Sequence, residues 1–121
     1  MPILRMACVC VWGLVLVSCK GVYSDAPIGE KPVELVARDW EGVWFGDGGA
    51  MTIKLVDRAN GVLRTAWVDE EEKSFKLTTY RGHLRSSHDW MFCSLENYEG
   101  SEKFLWGRIK RNNNQIVFWL P

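Results

Sequence analysis

From Val33 onward, turn chemistry returns about every ten residues, and each interval holds one short stretch of alternating polarity. A chain punctuated this way has no room for a long amphipathic helix, but it can lay down strand after strand. The expected strands are Gly42–Phe45, Met51–Val56, Val62–Val68, Ser74–Tyr80, His83–Ser86, Trp90–Leu95, Phe104–Lys110 and Gln115–Leu120. Asp47-Gly48-Gly49, Asn60-Gly61 and Asn112-Asn113-Asn114 separate them with residues that tolerate the positive φ of tight turns. Met51, Ile53 and Leu55 alternate with Thr52 and Lys54, and Phe75, Leu77 and Thr79 alternate with Lys76 and Thr78. The pattern predicts an all-β domain over residues 33–121: a small antiparallel meander closed as a barrel or folded as a sandwich. Val33–Arg38 suits a helical turn or a leading strand equally. Pro121, which cannot donate to a ladder, ends the last strand unless the chain continues beyond it.

The first residues follow another logic. Arg5 is the one charge before an apolar run from Ala7 to Val17. At about a dozen residues, that run is too short for a hydrocarbon core that needs roughly 20 in a helix. A basic start, a short apolar run and a small-residue exit are the parts of a secretory signal. The exit, Leu16-Val17-Ser18-Cys19, resembles the lipobox of bacterial lipoproteins. That resemblance implies a signal peptide over residues 1–18, cleavage after Ser18, and a Cys19 thiol carrying diacylglycerol, with palmitate or a similar acyl chain on the new amine. Two or three acyl chains anchor stably, where one is marginal. It also implies a bacterial membrane address. Lys20, in place of the aspartate that retains such proteins in the inner membrane, favours the outer membrane where the organism has one. Cys8 and Cys10 lie within the apolar run and read as small apolar residues of the signal. Residues 19–32 (Gly21 to Pro32 being GVYSDAPIGEKP) show no period and are expected to be a lipidated, flexible tether.

Removal of the signal leaves about 100 residues, enough for one domain. The balance of 15 basic and 15 acidic side chains becomes one net negative charge once Arg5 is gone. No basic stripe remains, which argues against nucleic acid as a partner. With Cys19 lipidated, Cys93 is the one remaining thiol of the mature chain, so no internal disulfide supports the fold. Packing must do so, and Trp40, Trp44, Trp67, Trp90, Trp106 and Trp119 bring a large share of it. Trp40, Trp44 and Trp106, set among glycines and alternating positions, are expected in the core. Trp67 and Trp90 lie beside polar loops and are the candidate ligand-contacting residues.

Gly42-Val43-Trp44 resembles the Gly-x-Trp that opens the first strand of lipocalin-type barrels. The resemblance covers three residues, and it implies a lipocalin-like fold only in the broad sense. In that family the tryptophan closes the barrel base and stacks on an arginine from a late strand. Gly42, Trp44 and Arg108 would be the structural residues here.

Catalytic and metal chemistry find no constellation. Ser86-Ser87-His88-Asp89 holds the residue types of a nucleophilic triad, but adjacent residues cannot align nucleophile, base and orienting group in a row. His83 and His88, five apart, do not share a strand face, and no zinc-type cysteine pattern exists. Asp69–Glu72 lacks the spaced ligands and glycine of a calcium loop and reads as a solvated turn. Cys93, within a strand, reads as a buried inert thiol. No glycine-rich phosphate loop is present. The expectation is therefore a protein without cofactor, metal or catalytic residues. It is read as a membrane-anchored envelope lipoprotein that binds a small apolar or glycan ligand or serves envelope assembly. The alternative is a protein-binding module such as an inhibitor of lysozyme-type hydrolases. An enclosed aromatic cavity would favour the first reading and a protruding polar loop the second.

Overall fold

The computed structural model describes residues 21–46, 49–71 and 74–121. Cys19, Lys20 and residues 1–18, the expected signal peptide, lie outside the described residues, as does the centre of the acidic turn after Glu71. The domain is a single antiparallel sheet. Its strands are β1 (Val22–Ser24), β2 (Lys31–Pro32), β3 (Gly42–Gly46), β4 (Gly49–Asp57), β5 (Val62–Glu71), β6 (Ser74–Ser87), β7 (Trp90–Leu95), β8 (Phe104–Asn112) and β9 (Gln115–Trp119). One helical turn, α1 (Ala37–Trp40), precedes β3.

From β3 to β9 each strand pairs with the next, as the evenly spaced turns predict. The two short N-terminal strands fill gaps in this meander. β1 runs along β8 at Phe104–Trp106, where β9 has not yet begun, and β2 runs along β6 at Arg85–Ser86, beyond the end of β5. Within the expected tether, residues 22–24 and 31–32 are therefore strands of the sheet. The Glu30 N–H donates to the Ser86 carbonyl at 2.8 Å, and the Val33 N–H to that of Leu84 at 3.0 Å. Two free stretches of strand edge, with backbone groups that need partners, outweigh the entropy of an aperiodic segment. Ser74–Tyr80 and His83–Ser86, expected as separate strands, form the single strand β6.

Register divides the sheet into two faces. The inner face carries Ile53, Leu63, Leu84, Cys93 and Ile109, and Leu35 and Trp40 cover one end of it from the segment before β3. Gly107, opposite Cys93, leaves space in which the Phe118 ring lies 2.8 Å from where its Cβ would be. This close approach draws β9 over the inner face. The sheet curls until its end strands, β3 and β9, line a common cleft, but no ladder joins them among the described residues. The architecture is all-β, and the expected barrel is not closed. Closure needs a register that brings β3 and β9 within hydrogen-bonding reach, and strand alternation alone does not supply it.

Candidate ligand-binding site

The cleft begins with β3. Trp44 is held by its indole N–H, which donates to the Trp40 carbonyl at 3.0 Å. That bond ties the first strand to the helical turn before it. Glu41 fixes the same junction, its carboxylate accepting from the Leu55 N–H at 2.9 Å. Inner-face alternation then sets Met51 opposite Trp44 and Trp67 opposite Met51. Ile116 and Phe118 of β9 supply the far wall. The volume between the walls is about 750 Å³. It continues along the inner face as a second hollow of about 540 Å³, which shares Met51, Trp67 and Phe118 with the first. Lys76, Tyr80, Tyr98 and Glu99 are among the polar residues that line this second part. The Tyr80 and Tyr98 rings stack at 4.8 Å between centroids, and burial raises both phenol pKa values above the usual 10. Both therefore remain neutral hydroxyls with a proton to donate at any ordinary pH.

A second aromatic array covers the outer face. Phe92 pairs with Arg108, and Arg108 with Trp119, so the three stand side by side across β7, β8 and β9. The Arg108 guanidinium lies 3.7 Å from the centre of the Trp90 ring and 5.2 Å from that of Trp119. Trp90 stacks on Phe92, and Trp106 meets Phe92 edge to face. Trp90 remains 48% exposed and Trp119 43%.

The two candidate contact residues are thus not neighbours. Trp67 lines the inner cleft and Trp90 belongs to the outer array. Strand parity decides this, since Trp67 pairs with Met51 on the core face and Trp90 with Ser87 on the other. Arg108 does not stack on Trp44, which faces the opposite side of the sheet. The late-strand arginine over an early tryptophan is instead Arg111, 5.9 Å from the centre of the Trp40 ring and 3.7 Å from the Asp39 carboxylate. Gly42 opens β3 at φ +136°, a conformation L side chains rarely adopt. Of the tryptophans expected in the core, Trp40 is buried, whereas Trp44 and Trp106 are half-buried. Sequence reading missed Phe118 and Tyr98, because Phe118 sits in a strand that is apolar at successive positions and Tyr98 in a turn, and neither setting carries a periodic signal.

The other titratable groups make local contacts. The His83 Nε2 lies 2.5 Å from the Glu96 carboxylate, on the outer face, while His88 occupies a left-handed turn position. Ser94, beside His83 in the ladder, is wholly buried, and its hydroxyl accepts from the Ile28 N–H at 3.1 Å. Burial pushes the Cys93 thiol up to about 12. Among the described residues, no group of three His, Cys, Asp or Glu side chains forms a metal site, and no helix is long and apolar enough to cross a membrane. No protein-family model matches the chain, and neither does any curated protein or solved structure.

Proposed function

We propose that the chain is a lipid-anchored bacterial envelope lipoprotein whose β-domain binds an elongated apolar ligand, of the size of a fatty-acyl chain, in the inner cleft. One observation carries the ligand reading: a continuous hollow, walled by Trp44, Met51, Trp67 and Phe118, between two sheet edges that are not paired with each other. The volume of its first part, about 750 Å³, falls within the roughly 300–1,000 Å³ of small-molecule sites, which combine an apolar lining with a few polar groups. The two stacked, neutral tyrosines, with Glu99 beside them, would offer hydrogen-bond partners to a polar head. The Glu96–Lys103 loop does not protrude as a polar arm, since its Tyr98 ring packs on Tyr80. Glu41, Asn113, Asn114 and Gln115 also line this cleft, so a glycan is the competing ligand that the titration must separate from an apolar chain.

The ligand reading is tested by titrating fatty acids and envelope glycans against the protein, following tryptophan emission. Trp67→Ala is expected to weaken fatty-acid binding by about tenfold, equivalent to about 1.4 kcal/mol, with Trp90→Ala close to wild type. Glycan binding without fatty-acid binding would overturn it. The anchor is tested separately: Cys19→Ala should abolish palmitate labelling and leave unprocessed precursor. A variant that still labels and matures normally would end the lipoprotein reading.

The protein-binding alternative draws on a different feature. Phe45, Val68 and Leu77 form an exposed apolar row across the outer face of β3, β5 and β6, with Phe75 next to it, and Phe45 is 85% exposed. Such rows mark contact surfaces. Inhibition of a lysozyme, lost in Phe45→Ser, would favour this reading over the cleft.

A further inference from the structure

We propose that the outer array of Trp90, Arg108 and Trp119 rests on the bilayer surface beside the anchor, so that the domain lies against the membrane. The proposal depends on the lipoprotein reading of Cys19. Gly21 is the first described residue, and it packs against Leu105 and Leu120. The next residue, Val22, pairs with Trp106, while Trp119 pairs with Arg108 two positions further along β8. The chain therefore joins the sheet at the border of the aromatic array. Only Lys20 stands between Gly21 and the cysteine. Two residue steps reach at most about 7 Å, comparable to the thickness of the headgroup layer of one leaflet. Had residues 21–32 stayed a free tether, the domain could stand clear of the lipid. Their pairing as β1 and β2 removes that slack.

What lies at this border suits an interface. Val22, Trp90, Trp119 and Leu120 all expose a third or more of their surface. Tryptophan concentrates at the headgroup level, where its apolar ring and polar N–H are both accommodated. The Arg108 guanidinium, in contact with both indoles, is placed to meet lipid phosphate. Asp89 and Glu30, both exposed near the array, offset this charge. Contact should therefore depend on the aromatic rings more than on anionic lipid, and should vary little with salt.

The test uses the mature chain labelled with 5-fluorotryptophan, in nanodiscs of phosphatidylethanolamine and phosphatidylglycerol with a fraction of headgroup-spin-labelled lipid. Fluorine resonances are assigned from single Trp→Phe variants, and the reading itself is made on the wild-type chain. The Trp90 and Trp119 signals are expected to broaden about twofold or more relative to Trp40 and Trp44, equally at low and high salt. Intact mass determines first whether Cys19 is acylated, and an unacylated chain overturns the lipoprotein reading and this proposal together. An acylated chain with uniform broadening of all tryptophans overturns the membrane contact alone. So does a chain whose Trp90 and Trp119 signals respond to added peptidoglycan fragments and not to the spin-labelled lipid.

Discussion

Cys93 packs on the inner face against Gly82, whose missing side chain leaves it room beside Leu63 and Leu95. In the unfolded chain its thiol ionises near 9, and in the folded protein near 12. The folded state thus holds the proton over that interval. The thiol's contribution to stability is complete below pH 9 and is lost as pH rises toward 12. Tyr80 and Tyr98, also raised, act in the same sense. Denaturant midpoints of the wild type should fall above pH 9, and those of Cys93→Ala should fall less steeply. Iodoacetamide should leave the native thiol untouched and modify it only in denaturant. The tryptophans separate by burial in a similar way. Trp40, 5% exposed, should cost about 3–5 kcal/mol on truncation to Ala, the usual range for a core aromatic. Trp44→Ala should cost less, and Trp90→Ala least. Melting temperatures in any other order would contradict the assignment of Trp40 as the central ring.

The strands of the meander were legible because alternation is local: each residue's polarity reports the face it takes in its own strand. β6 runs through two expected strands, Ser74–Tyr80 and His83–Ser86, without a break at Arg81-Gly82. Gly82 serves a different end, since its bare Cα leaves room for Leu63, Cys93 and Leu95 within 3.4 Å of where a Cβ would be. β1 and β2, three and two residues long, are too short to show any period. Their formation depends on free stretches of edge in strands far along the chain. Gly29 secures the link between them. Its φ is +121°, a Cβ added there would lie 2.5 Å from that of Arg85, and the Arg85 Nε donates to the Gly29 carbonyl at 2.9 Å. Gly29→Ala should release this segment without unfolding the meander. Hydrogen exchange should show it, with the Ile28 and Glu30 amides losing protection while those of β4 and β5 keep theirs. Equal loss throughout would mean that the N-terminal strands are integral to the whole fold.

The curled sheet has two aromatic surfaces because it has two faces, and its open seam turns the inner one into a hollow. Amide-I infrared of the intact protein should be dominated by antiparallel bands, and a predominantly helical spectrum would contradict the architecture. Local polarity and turn chemistry were enough to establish an antiparallel meander and most strand limits, because both act between residues close in the chain. They could not say that Trp67 and Trp90 lie on opposite faces, since a register change of one residue exchanges the faces of a strand. Nor could they match Arg111 with Trp40, or place the Trp90–Arg108–Trp119 array beside the start of β1. Those depend on distant segments meeting through register and curl, including the irregularity between Leu55 and Asp57 in β4. The lipobox resemblance rests on adjacent residues alone. That residues 22–24 belong to the sheet and not to a free tether depends on the pairing of β1 with β8, a contact between residues some eighty positions apart.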